Sequence, residues 1–143
     1  MSGPPDPPES AGRWLRFARE DLHSAQTLLD NDDAPRLVCW AAQQAAEKAV
    51  KAALVYAGIR FPKSHDIDRL LRMVPGDWNL SPDVADAAWL SDWALESRYP
   101  GDWPDADTVD AQRAIAEASK MLRAVERDLQ GRGVGGAAQP EES

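Results

Sequence analysis

The chain has 143 residues and a formal net charge of −8, with 16 Lys and Arg against 24 Asp and Glu. That balance argues against a broad electrostatic surface for nucleic acid, because neutralising phosphates needs clustered cations, although a local basic groove or a basic partner stays open. Cys39, the one cysteine, excludes an intramolecular disulfide or a cysteine-built metal site and fits a reducing, cytoplasmic setting.

No stretch nears the roughly 20 apolar residues of a membrane span. The start of the chain, rich in Pro4, Pro5, Pro7 and Pro8, is unlike the basic and then apolar opening of a secretory signal. Residues 1–11 read as a disordered Pro-rich tail and residues 131–143 as a disordered Gly-rich one. One helical domain over residues 12–130 is left between them, a length fit to bury a core.

In the first segment Trp14, Phe17, Ala18, Leu22, Ala25, Leu28 and Leu29 recur at three- and four-residue steps, one face of an amphipathic helix. Asp21 lies inside that stripe, while His23 falls on the polar side and reads as solvated. A second helix from about Ala34 to Ala57 carries Val38, Ala41, Ala42, Ala45, Ala49, Ala52, Ala53 and Tyr56 on a wide face. Its alanines favour helix and let neighbours approach closely, and Gly58 is placed to cap its end.

Ser64-His65-Asp66 opens a short third helix to about Val74, with Ile67, Leu70, Leu71 and Val74 inward. In the plain reading this is a capping turn, with Ser64 or Asp66 satisfying orphan N–H groups and His65 packed on the bundle. Ser81-Pro82-Asp83 is a clean helix start, with a cap, a proline in the first turn and an acid near the positive dipole end. That fourth helix carries Trp89 and Trp93 and ends at or before Tyr99, since Pro100 disfavours helical geometry in the residue before it. A last helix from about Asp105 to Gln130 sets Val109, Ile115, Leu122, Val125 and Leu129 on one side. With no convincing strand and no repeat, the expected fold is all-α, an up-and-down bundle of four to five helices.

Chemistry-bearing residues are few. A carboxylate such as Asp21 in an apolar stripe needs a partner. It either bonds across to Lys48 or Arg98, locking two helices in register, or lies at the stripe's edge while Glu47 and Lys51 form an exposed pair. Gln43 and Glu47 share one face of the second helix, and Gln44 and Lys48 another. Glu96-Ser97-Arg98-Tyr99-Pro100-Gly101-Asp102 is the strongest local signal. Arg98 either satisfies terminal carbonyls and the helix dipole or holds a phosphate, a nucleotide or a partner's carboxylate. Trp103, between Asp102 and Pro104, is a core residue or an interface anchor. No Gly-rich phosphate loop, HExxH, nucleophile elbow or calcium loop is present, and no cofactor or metal is expected.

Taken together, Trp14 to Leu29 with Asp21, the stretch Gln43-Gln44-Ala45-Ala46-Glu47-Lys48-Ala49-Val50-Lys51-Ala52, Lys63-Ser64-His65-Asp66-Ile67 with Leu70-Leu71, and Arg98-Tyr99-Pro100 resemble the HEPN family. The resemblance covers about residues 12–130. It implies a bundle of four or five helices, usually a homodimer with a cleft between the copies. It also implies, for many members, a minimal nucleotidyltransferase as partner in a two-gene, toxin–antitoxin-like module.

Catalytic members are metal-independent ribonucleases with an arginine, four to six intervening residues, and then a histidine. Here Arg98 is kept, but that spacing reaches Trp103, Pro104 and Asp105. An exposed aspartate is a weak base and hardly ever a proton donor near neutral pH. The expectation is therefore a non-catalytic protein that binds a nucleotide, RNA or a partner through Arg98 and Tyr99, with Asp21, Glu47 and Lys48 orienting them. Gln43, Gln44, His65, Asp66 and Pro100 complete the motif. The rival is a divergent ribonuclease in which His65 supplies the missing imidazole to Arg98.

Overall fold

A computed structural model describes residues 10–80 and 84–133. Among these the chain is all helical, with α1 (Ala11–Asp30), α2 (Pro35–Tyr56), α3 (Ile67–Leu71), α4 (Val84–Ser91) and α5 (Thr108–Gly131). Two 3-10 turns, Leu95–Ser97 and Pro100–Asp102, separate α4 from α5. The long helices α1, α2 and α5 form the bundle; α3 and α4 pack mainly on each other and close one side.

α2 is the centre. Pro35 stands in its first turn, where the missing N–H is no loss. Ala41, Ala42, Ala45, Ala46, Ala49, Ala52 and Ala53 are all buried, so small side chains face neighbours on nearly every side. A helix buried almost all round has no solvent stripe, which is why its polar residues end up inside. Gly58 follows at φ 73°, a left-handed conformation in which glycine meets no steric penalty. Ile59 N–H then donates to Leu54 C=O at 3.0 Å.

Several boundaries differ from the sequence expectation. In α1 the deepest stripe is Ala11, Leu15, Ala18 and Ala25, with Trp14, Leu22, Leu28 and Leu29 packed at its edges; Leu15 falls outside the expected stripe. α3 is shorter than expected and stops at Leu71, where Met73 and Val74 close single turns back to Leu70 and Leu71. The proposed helix start Ser81-Pro82-Asp83 lies outside the described residues. α4 ends at Ser91, so Trp93 is buried in the following turn rather than on the helix. α5 starts at Thr108, because Asp107 caps it and forms a reciprocal box with Asp110. Val109 is 70% exposed. It sits in the first turn of α5, before the point where Ala111 begins the buried face.

Candidate functional site

The polar residues of α2 form one connected network. Gln43 is fully buried and Glu47 nearly so. Gln43 Nε2 donates to Glu47 Oε1 at 3.0 Å and to the His65 carbonyl at 3.1 Å. Gln44 Nε2 donates to Gln43 Oε1 and to Glu96 Oε2, each at 2.7 Å. Lys48 Nζ reaches Gln44 Oε1 at 3.3 Å and Asp21 Oδ2 at 2.6 Å. The four-residue spacing on a helix makes the links along α2 possible, and the others tie it to α1, to the turn before α3 and to the turn after α4.

Asp21 thus reaches Lys48 and not Arg98. The Glu47–Lys51 pair forms as well, at 2.8 Å, but it is buried rather than exposed. The Lys51 ammonium lies 5.5 Å from the Phe61 ring centroid and 5.9 Å from that of Trp14. Aromatic faces thereby replace some of the water it has lost.

Burial pushes the Glu47 carboxyl upward. The hydrogen bonds from Lys51 and Gln43, the Lys51 charge and the His65 ring outweigh that and hold it below the usual carboxylate range. Glu47 is therefore an acceptor only, and His65 Nδ1, 2.9 Å from Glu47 Oε1, must carry the proton. The same ring nitrogen is 3.8 Å from Glu96 Oε2. Ser64 Oγ accepts from Asp66 N–H at 3.1 Å, so the capping turn exists. Asp66 itself caps nothing. The first N–H of α3, on Ile67, instead donates to Ser91 Oγ at 2.8 Å, a cap supplied from the end of α4.

Arg98 does not stand at the end of an α-helix. It follows the 3-10 turn Leu95–Ser97 with extended backbone, and Tyr99 is extended too, as Pro100 demands. The Arg98 side chain is exposed, and its one ion pair among the described residues is with Asp92 Oδ1, at 3.5 Å. Tyr99 is 81% exposed. Trp103 Nε1 donates to the carbonyls of Leu95 at 3.0 Å and Arg98 at 3.3 Å, while Arg36 stacks over its ring at 5.2 Å. Trp103 therefore pins this corner to α2.

No hydrogen bond or ion pair joins Arg98 or Tyr99 to Asp21, Glu47, Lys48 or His65 among the described residues. Glu96, two residues before Arg98, is the connection; sequence reasoning included it in the Arg98 stretch but gave it no role. It accepts from Gln44 and, at 2.9 Å, from Trp40 Nε1. Among the described residues no cluster of three or more His, Cys, Asp or Glu is placed to hold a metal ion. No described helix is long and apolar enough to cross a membrane.

A family model described as the HEPN domain matches residues 11–128. The fold is similar to the crystal structure of TT1696 from Thermus thermophilus, at 33% identity and a TM-score of 0.73, over 84% of this chain and 98% of that one. It is also similar to ST0689, an archaeal HEPN homologue, at 29% identity and a TM-score of 0.66, over 82% of this chain and 95% of that one. None of the curated proteins matches it.

Proposed function

This chain belongs to the HEPN domain family, and from that premise we propose that it acts by recognition and not by cleavage. In this reading it is a cytoplasmic homodimer that binds a nucleotide, a minimal nucleotidyltransferase, or both, as the non-catalytic member of a two-gene, toxin–antitoxin-like module. The observation that carries the reading is the contrast between Arg98 and His65. Arg98 is exposed, held among the described residues by one 3.5 Å ion pair, and flanked by the exposed ring of Tyr99. A guanidinium so lightly engaged is available to a planar anion on a partner or ligand.

His65 Nδ1 is held by Glu47 at 2.9 Å, and no hydrogen bond or ion pair joins the His65 ring to Arg98 among the described residues. The ribonuclease reading, which pairs Arg98 with His65, has no contact among the described residues to rest on. Asp21, Glu47 and Lys48 support the corner at a distance, through Gln44 and Glu96, by fixing where the 95–100 segment sits on α2.

The test is co-expression with a minimal nucleotidyltransferase encoded beside the gene, together with titration of labelled nucleotides. Arg98→Ala should weaken capture of the partner or nucleotide about tenfold or more, the loss of a charge-assisted contact, at unchanged helical content. Equal binding by the variant and the parent chain removes Arg98 from the site. Cleavage of RNA that disappears in His65→Ala would favour the rival.

A further inference from the structure

The first turns of α1 and the middle of α2 enclose a cleft of about 430 Å³, lined by Ser10, Arg13, Trp14, Phe17 and Lys48. Neither Arg98, Tyr99 nor His65 lines it; Lys48 is the residue it shares with the network that supports that corner, so Arg13 and Phe17 are the residues on which its role is tested. The volume is that of a small-molecule site, a concave and largely apolar surface with a few polar groups that set orientation.

Two aromatic rings form the walls. Trp14 meets Phe61 edge-on, with centroids 6.3 Å apart and planes at 78°. Lys51, held by Glu47, lies on Trp14 as well, so this wall is anchored in the buried network. Phe17 has the Arg13 guanidinium 5.5 Å from its ring centroid.

The two cations of the cleft differ in how their charge is used. Lys48 is neutralised by Asp21 at 2.6 Å. Arg13 has no carboxylate partner among the described residues, in a chain whose acids outnumber its bases. A guanidinium resting near a ring still presents its N–H donors at its edge. The cleft therefore offers two aromatic surfaces, one cation paired with Asp21 and one, Arg13, with no carboxylate partner among the described residues. Arg16 lies 5.2 Å from the same Phe17 ring but does not line the cleft.

We propose that this cleft binds a small planar aromatic anion, whose ring packs against Trp14 and Phe17 and whose single carboxylate, sulfonate or phosphoryl group is held by Arg13. A purely apolar ligand would leave the guanidinium unused, and an anion without a ring would leave both walls unused.

Anilinonaphthalene sulfonate, which brightens on entering an apolar site, serves as the probe. Phenylnaphthylamine, the same ring system without the sulfonate, serves as its neutral counterpart. The folded chain should bind the sulfonate saturably, one per chain. Arg13→Gln should weaken it about tenfold, as expected for one charge-assisted contact, and leave the neutral probe unchanged. Phe17→Ala should weaken both probes. Arg127→Gln, on the far part of α5, should alter neither. Equal affinity of the parent chain and Arg13→Gln for the sulfonate overturns the proposal, as does a loss that follows Arg127→Gln instead.

Discussion

At Glu47, burial and partnership act in opposite directions, and partnership wins. Its carboxyl in the folded chain sits below its ordinary value. The stability it contributes is therefore fully present above the unfolded carboxylate range, roughly pH 4.3, and is lost as pH falls through the lower, folded value. Glu47→Gln should cost about 3 kcal/mol at about pH 7, because Lys51 is left buried without a counter-charge. The gap between variant and parent should narrow toward about pH 3, below the unfolded carboxylate value, because there the unfolded parent binds a proton that the folded carboxyl resists. Urea unfolding at the two pH values reads this directly; a constant gap would assign the effect to shape and not to charge.

Cys39 gives the converse case. Burial first, and then the Asp110 and Asp107 charges, push its thiol up to about 12. It should resist alkylation in the native protein at mildly alkaline pH and react once urea unfolds the chain. Rapid native labelling would mean that this end of α2 opens.

At this scale the sequence makes Asp21 conspicuous, because a carboxylate in an apolar stripe demands a partner. Two cations are eligible, and choosing Lys48 over Arg98 needs the packing of α1 on α2. Glu96 gives no such signal. Its neighbours in sequence are ordinary, and its partners Trp40 and Gln44 lie 56 and 52 positions away.

Among the elements, the long helices are legible because their faces repeat over many turns, and the boundaries are not. α3 is capped by Ser91, 24 residues further on, which no local reading of Ser64-His65-Asp66 supplies. The same Ser91 hydroxyl donates back to the Ala87 carbonyl at 2.8 Å, a local bond that competes with further helix; the chain turns there, and Trp93 falls off α4.

The start of α2 lacks a side-chain cap. Ala34 is its N-cap, with φ −53° and ψ 124°, no side-chain cap bond and no acid in the first turn. Ala34→Asp should add both a cap acceptor and a favourable charge at the positive dipole end, stabilising the protein by about 1 kcal/mol. Asp107→Ala, at the capped start of α5, should destabilise by a similar amount. Thermal melts of the two variants should move in opposite directions. A destabilised Ala34→Asp would mean that this terminus is already satisfied by something an aspartate displaces.

Across the whole molecule, exposed apolar surface is uneven. Among the described residues the exposed large hydrophobics are Leu37, Trp40, Tyr99 and Val109. Leu37 and Trp40 lie in the first half of α2, and Trp40 is bonded to Glu96 beside the Arg98-Tyr99 turn. Val109 stands between Asp107 and Asp110, whose charges act on Cys39 of α2. Apolar side chains gathered on one face of an otherwise charged surface mark an association site more readily than scattered ones do. If the proposed homodimer has its cleft at Arg98, then Tyr99 beside it, with Trp40 and Leu37 linked to that turn through Glu96, would give the contact its apolar part.

Leu37→Glu combined with Tyr99→Glu should then raise the dimer dissociation constant about a hundredfold or more, since each substitution brings like charge and an unpaired carboxylate into the contact. Both positions are exposed, so the monomer should keep its helical content by circular dichroism. Light scattering across a dilution series separates the outcomes. A parent chain that is monomeric at high concentration, or a double variant that stays dimeric, removes this face from the assembly and leaves Arg98 and Tyr99 to act within a single copy.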